Sequence, residues 1–375
     1  MAAQDKEVVS GLRAILASSI TKIDIFMSKL KSIILHIGPD KTGSTAIQRT
    51  LAANVDLLES CGVLYSAGVG HNDKGLSLAF SEVVMSNVSR NSGLNSKRFH
   101  GYLEKLQQRV KSTSADHLIL SHEGLINLTV AELSVLHKFL KGLSEKVTVV
   151  LYARDPFSYA LSAMSQRVKT GRRAWSYFPP MIKYQDYIEG WSGVFGREAL
   201  EVRLYSREVF PKGDVVLDFI SMPALQGALN GLDVSSFDRL FEGNPGFSGL
   251  AIRVGDRIVE ILGSKSPKAD NFKTLFIDDL YLLNSGKAEL TSMQKKLIRW
   301  FSYRHIKYLA REFKVVFPRL KEPEKQPNVF SEKNVETLAC KIIANKLPEF
   351  QLGYARSGWR KLKCWTLDHL FFRAS

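Results

Sequence analysis

Three cysteines in 375 residues, Cys61, Cys340 and Cys364, are too few, too far apart and odd in number for a disulfide framework or a CxxC metal knuckle. Their scarcity fits a reducing compartment. Long apolar runs are also missing: no window approaches the roughly 18 uninterrupted apolar residues of a membrane span. Asp5, Glu7 and Asp24 stand where a signal peptide would carry no acidic residue. The chain lacks internal repeats and low-complexity tracts, which removes solenoids and linker-like chains. Acidic residues are in deficit, 37 against 52 Lys and Arg, for a formal charge of +15. An anionic substrate or partner follows: phosphate, sulfate, nucleic acid or an acidic surface. With 45% hydrophobic and 24% charged residues, the chain can bury a core.

Residues 6–30 place Val8, Leu12, Ile15, Leu16, Ile23 and Met27 at mostly helical spacing, which predicts an N-terminal helical extension over 1–30. From Lys31 the pattern changes to short apolar runs. Ser32–Ile37, Leu118–Leu120, Val147–Tyr152 and Leu200–Leu204 have the length and β-branched content of buried strands. Amphipathic helices are expected between them, near 44–60, 98–112, 129–141, 157–169 and 183–194. Non-alternating strands separated by helices predict an α/β fold with a mostly parallel sheet covered on both faces. Ligands of such sheets bind at the carboxyl ends of the strands. After about residue 225 the strand signals fade, and Gly249–Leu262, Thr291–Lys314 and Glu332–Lys346 read as helices. A core over 31–225 and a helical C-terminal part of the same domain over 226–375 are therefore expected, with the stretch 322–328 (EPEKQPN) as a surface loop.

The first strand runs into Gly38-Pro39-Asp40-Lys41-Thr42-Gly43-Ser44-Thr45 and then a helix. A glycine-bearing turn at a helix N-terminus forms an anion site, because free N–H groups and the positive end of the helix dipole meet there. The glycines have the spacing of a nucleotide P-loop, yet Ser44-Thr45 follows where a nucleoside triphosphatase has lysine and a hydroxyl residue. The lysine has moved to position 41. Strand 117–121 ends in Ser121-His122-Glu123, without an aspartate to support magnesium. A phosphoryl ester handled without a metal fits this pattern better than a triphosphate.

HIGPDKTGSTAIQ resembles the 5′-phosphosulfate loop of sulfotransferases that use 3′-phosphoadenosine 5′-phosphosulfate (PAPS), particularly the bacterial carbohydrate-type branch with its K-T-G-S/T-S/T core. Ala153-Arg154-Asp155-Pro156, with Ser162 eight residues after Arg154, resembles the 3′-phosphate motif of the same family. The likeness extends through about 31–225 and more weakly through 244–262. It implies a P-loop-like α/β fold, PAPS as co-substrate, no metal, and transfer of a sulfonyl group to an acceptor hydroxyl, on a carbohydrate or polysaccharide. The implied nucleotide contacts are Lys41, Thr42, Gly43, Ser44 and Thr45 for the 5′-phosphate, with Arg154 and Ser162 for the 3′-phosphate. Lys41 is the candidate for charge growing on the leaving oxygen. The late Arg-Lys-Gly loop of cytosolic sulfotransferases has no good match here.

Three residues compete as the base that takes the acceptor proton. LILSH resembles the strand end that carries the catalytic histidine of cytosolic sulfotransferases, which points to His122; carbohydrate-type relatives often use glutamate, which points to Glu123. His71, in the loop GVGHNDKG, is the third. His36, within a strand, reads as a core residue.

Residues 287–325 hold eleven Lys or Arg and four Glu. They read as an amphipathic helix with a solvated basic face, or as a rim that attracts an acidic acceptor. The tail over 357–375 interleaves Arg360, Lys361, Lys363 and Arg373 with Trp359, Trp365, Phe371 and Phe372, and the terminal amphipathic segments offer peripheral contact with anionic lipid. The expected localisation is cytoplasmic, as for a bacterial enzyme, with that peripheral contact. Two other classes share part of the pattern: a P-loop nucleotide-dependent kinase, disfavoured by the displaced lysine, and a basic nucleic-acid-binding protein, supported by charge alone. No nucleic-acid partner is expected.

Overall fold

The computed structural model describes residues 30–66, 95–175, 178–229, 237–238, 246–263, 269–283, 285–317 and 331–347. The N-terminal extension up to residue 29, His71, the loop 322–328 and the aromatic tail lie outside the described residues. In chain order the elements are β1 Ser32–His36, α1 Ser44–Ala53, α2 Val55–Ser60, β2 Val63–Tyr65, α3 Asn95–Ser112, β3 His117–Ser121, a 3-10 turn Glu123–Asn127 and α4 Val130–Lys141. There follow β4 Val147–Arg154, α5 Pro156–Lys169, α6 Tyr184–Phe195, β5 Leu200–Tyr205, α7 Val215–Ile220, α8 Pro223–Leu229, α9 Gly249–Leu262, α10 Ala269–Leu282, α11 Ser292–Phe313 and α12 Glu332–Lys346.

The helix expected over 44–60 is two helices. Asn54 sits between them at φ −118°, its side-chain amide donating to Thr50 O at 2.7 Å. An asparagine that bonds nearby main chain offers the backbone an alternative to continued helix. β2 and α10 were not expected: β2 is three residues long, whereas α10 does carry Phe272, Phe276 and Leu280 at helical spacing and buries them.

The chain divides into two compact units that interleave in sequence. One comprises Met1–Asp155, Ile182–Gly243 and Tyr303–Phe317; the other comprises Pro156–Met181, Asn244–Ser302 and Pro318–Ser375.

The first unit holds a parallel sheet in the order β2-β3-β1-β4-β5. Its strands read as unbroken apolar runs because both faces are covered. Ile34, Ile119 and Val150 pack on one face with Ile47 and Leu51 of α1 and Val215 and Phe219 of α7. Ile33, Leu35, Leu118, Leu120, Val149 and Leu151 alternate to the other face and are just as buried. Each such aliphatic contributes about 1.5–3 kcal/mol relative to exposure, an upper estimate. From β1 the chain crosses over β3 to reach β2, whereas from β4 it runs to its neighbour β5. Connections therefore part at the carboxyl ends of β1 and β4, the place where open parallel sheets bind their ligands.

The second unit is helical. α5, α9, α10, α12 and the first half of α11 share a core containing Val168, Ile258, Phe272, Phe276, Ile298 and Ala339. α9 crosses α5 closely at Gly255, where a Cβ would lie 2.3 Å from Val168 Cγ1. Its polar faces are laced by Arg173–Asp256 at 3.0 Å and Arg257–Glu336 at 2.7 Å. On α11, Ile298 and Leu309 are buried while Lys296, Trp300 and Lys307 are exposed, so the helix is amphipathic with a basic outer face. Among the described residues no helix is long and apolar enough to cross a membrane.

Candidate functional site

The turn after β1 is built from three left-handed residues. Gly38 has φ +92°, Lys41 φ +62° and Gly43 φ +80°. At Gly38 a Cβ would stand 2.9 Å from Cα and Cβ of Glu123, so the missing side chain lets the backbone of Glu123 rest against the loop. At Gly43 it would stand 2.7 Å from Val215 Cγ1 and 3.2 Å from Tyr205 Cε2. Glycine thus seats α1 against α7 and the end of β5. The Thr42 hydroxyl, fully buried, donates to Pro39 O and braces the loop from inside.

Helix α1 starts without a side-chain cap and without an acidic residue in its first turn. The N–H groups of Ala46 and Ile47 both donate to Gly43 O. Those of Thr42, Gly43, Ser44 and Thr45 meet no acceptor among the described residues. Four consecutive main-chain donors at the positive end of a helix form a ready cradle for an anion.

Arg154, the last residue of β4, reaches this loop. Its Nη1 donates to Lys41 O at 2.5 Å, and its guanidinium carbon lies 5.3 Å from the ring centre of Tyr205, its register partner on β5. Buried Tyr184 of α6 clasps the Arg154 main chain, accepting from its N–H at 2.8 Å and donating to its carbonyl at 3.2 Å. Lys41 and Arg154, expected as parts of one site, are brought together through the Lys41 carbonyl. Ser162 lies on α5, in the second unit.

His122 and Glu123, at the end of β3, have different surroundings. His122 is the cap of the 3-10 turn: its Nδ1 accepts from Gly124 N–H at 2.9 Å, while its own N–H donates to His36 O at 3.1 Å. Glu123 opens the turn, half-buried, and its Oε2 accepts from Gln48 Nε2 at 3.1 Å. Among the described residues nothing else hydrogen-bonds its carboxylate. Gln48, on α1 and 1% exposed, also donates to Ser121 Oγ at 3.2 Å, and Ser121 Oγ bonds His36 Nδ1 at 2.8 Å. Burial pushes the pKa of His36 down to about 4, against the opposing pull of the Glu123 charge. His36 is thus a neutral core residue at physiological pH, as its place inside a strand suggests.

Gln48, Tyr184 and Tyr205 escaped the sequence reading. Gln48 had a signal: in STAIQRTLAA it shares the buried face with Ser44, Ile47 and Leu51, and an amide in an apolar stripe calls for a partner. The two tyrosines had none, since they become neighbours of Arg154 only through the sheet and α6.

No family model matches the chain. An uncharacterized protein of Archaeoglobus fulgidus is 34% identical over 177 residues, which is 46% of this chain and 45% of that protein. The chain thus spans less than half the length of the relative it matches.

Proposed function

We propose that this chain is a P-loop-like sulfotransferase that moves a sulfonyl group from PAPS to an acceptor hydroxyl, on a carbohydrate or polysaccharide. The observation that carries the reading is the run of N–H donors from Thr42 to Thr45 that meet no acceptor among the described residues, with Arg154 tied to the loop through Lys41 O. The donors suit the bridging 5′-phosphate of the nucleotide, and Arg154 at the neighbouring strand end suits its 3′-phosphate. A sulfonate carries less charge than a terminal phosphate, and one lysine with several neutral donors serves it without a divalent ion. Cys61 and Cys340 form no disulfide among the described residues, which supports a cytoplasmic setting.

In the reaction the acceptor oxygen attacks sulfur in line with the bridging S–O bond. The new O–S bond forms as the old one breaks, and its electron pair goes to the 5′-phosphate oxygen, where Lys41 and the loop donors meet the growing charge. Glu123 takes the acceptor proton. Its carboxylate lies beside the loop with one oxygen that meets no donor among the described residues, whereas Nδ1 of His122 is engaged by Gly124.

Calorimetric titration with 3′-phosphoadenosine 5′-phosphate (PAP) and with ATP, each with and without magnesium, tests the reading. A sulfotransferase binds PAP more tightly, indifferent to the metal. Preference for magnesium-ATP would make the chain a kinase instead, and binding of neither nucleotide would end the proposal. Labelled sulfate from PAPS, offered with a panel of polysaccharides, then identifies the acceptor.

A further inference from the structure

We infer that Gln48 is a positioning residue: anchored in the core, it holds the Glu123 carboxylate beside the phosphate loop with one oxygen turned to the acceptor. The inference rests on the sulfotransferase reading for its chemistry and on the hydrogen-bond pattern alone for its geometry.

An unrestrained glutamate at the start of a surface turn samples several rotamers, and ordering it costs up to about 2 kcal/mol. Here the restraint is supplied from below. His36 and Ser121 are register partners on β1 and β3, both fully buried, and their side chains bond at 2.8 Å. Ser121 Oγ in turn receives Gln48 Nε2 at 3.2 Å, and the same nitrogen reaches Glu123 Oε2 at 3.1 Å. The chain runs from a neutral histidine in the core to a carboxylate at the rim, and each member is fixed by the one beneath it. From the other side, Gly38 admits the Glu123 backbone against the loop.

Energetics make the amide at position 48 informative. A leucine there, flanked by Ile47 and Leu51 on the buried face, would gain about 2 kcal/mol from burial. An amide in the same place costs about 1–3 kcal/mol unless its hydrogen bonds are made. The hydrogen bonds to Ser121 and Glu123 offset that cost, and their consequence is a carboxylate held, among the described residues, by Oε2 alone. Oε1 keeps its lone pairs for an acceptor hydroxyl.

The test pairs a structure with kinetics. Gln48→Met keeps the length and removes the donor. Its crystal structure should show the Glu123 carboxylate displaced from the wild-type position. PAP affinity by calorimetry should stay within about threefold of wild type, while turnover, read as PAP released from PAPS, falls about 10- to 100-fold, the size expected when a reacting group is misplaced by an ångström. In a Glu123→Gln background the same change should cost almost nothing further, because its effect passes through that carboxylate. A purely structural role predicts instead a similar loss in both backgrounds, together with a lowered urea midpoint, and that result would overturn the inference. An unmoved carboxylate in Gln48→Met overturns it as well, whatever the nucleotide does. Wild-type protein that fails to bind PAP removes the sulfotransferase reading separately, and the displaced or unmoved carboxylate still decides the role of Gln48.

Discussion

Two arginines on neighbouring strands, each opposite a tyrosine in register, are used in opposite ways. Arg203 on β5 pairs with Tyr152, and Arg154 on β4 pairs with Tyr205. Arg203 is committed to carboxylates: it grips both oxygens of Asp218 at 2.7 and 2.8 Å and bonds Glu201, while the Tyr152 hydroxyl donates to Asp218 at 2.7 Å. Burial and the Asp218 charge hold the Tyr152 phenol protonated, and the bond to Asp218 raises Arg203 further above its already high value. Arg154, two residues further along the sheet, turns toward a main-chain carbonyl of the loop and the face of an aromatic ring. Beside it the N–H groups of Thr42 to Thr45 meet no acceptor among the described residues. A fully matched carboxylate cluster stabilises the fold, whereas main-chain donors at a helix N-terminus are open to an anionic ligand.

The largest effect should come from breaking the matched cluster. Arg203→Met leaves the Asp218 carboxylate, 6% exposed, without its counter-ion. Stranding a buried charge in this way costs about 3–5 kcal/mol, read as a lowered urea midpoint at pH 7. Protein that remains folded should bind PAP as before. A loss below about 1 kcal/mol would mean that the cluster is no more structural than Arg154.

Acid separates the two regions next. His36 lies under the loop with a folded pKa of about 4 against 6.5 unfolded. Between those values the unfolded chain binds a proton that the folded chain refuses, so stability falls as pH drops from 6.5 and levels off below about 4. The loss is on the order of 3 kcal/mol at the acid end of that window. His36→Asn should flatten this part of the curve. His117, His137 and His305, also lowered by burial, keep their own shares. An unchanged slope in urea melts across pH 4 to 7 would place the titrating group elsewhere.

The third effect falls on binding. Arg154→Ala should weaken PAP by about 10- to 100-fold, the worth of a charge-assisted pair at about 1.5–3 kcal/mol. Its urea midpoint should move far less than that of Arg203→Met. Equal affinities would dissolve the contrast between the two arginines.

Much of this was legible in the letters because local chemistry set it. Unbroken β-branched runs gave four strands to within a few residues, and Gly38, Lys41 and Gly43 announced the turn through their spacing. What escaped depended on partners distant in sequence. Gln48 meets Glu123 across 75 residues and Tyr184 meets Arg154 across 30, contacts that exist only once the fold is known. His122 and Glu123 looked equivalent because both end the same strand; the 3-10 turn separates them by making one a cap. β2 is too short for periodicity to register, and its pairing with β3 secures it instead.

The smallest effect is the sharpest test of what the loop requires. Lys41 holds φ +62°, a conformation that costs a side chain about 1–2 kcal/mol and costs glycine nothing. Lys41→Gly relieves that strain but raises the entropy of the unfolded chain by an offsetting 0.4–1 kcal/mol or so, which leaves a net gain of about 1.6 kcal/mol at most. Lys41→Ala keeps the strain, so it should melt slightly below the glycine variant. Both retain the carbonyl that Arg154 grips, and both lose the ammonium. If the charge of Lys41 is what the anion needs, the two variants should lose PAP affinity equally while differing in stability. If the glycine variant binds like wild type and the alanine variant does not, backbone geometry is the contribution of position 41. Arg154 and the N–H groups of Thr42 to Thr45 would then carry the binding without it.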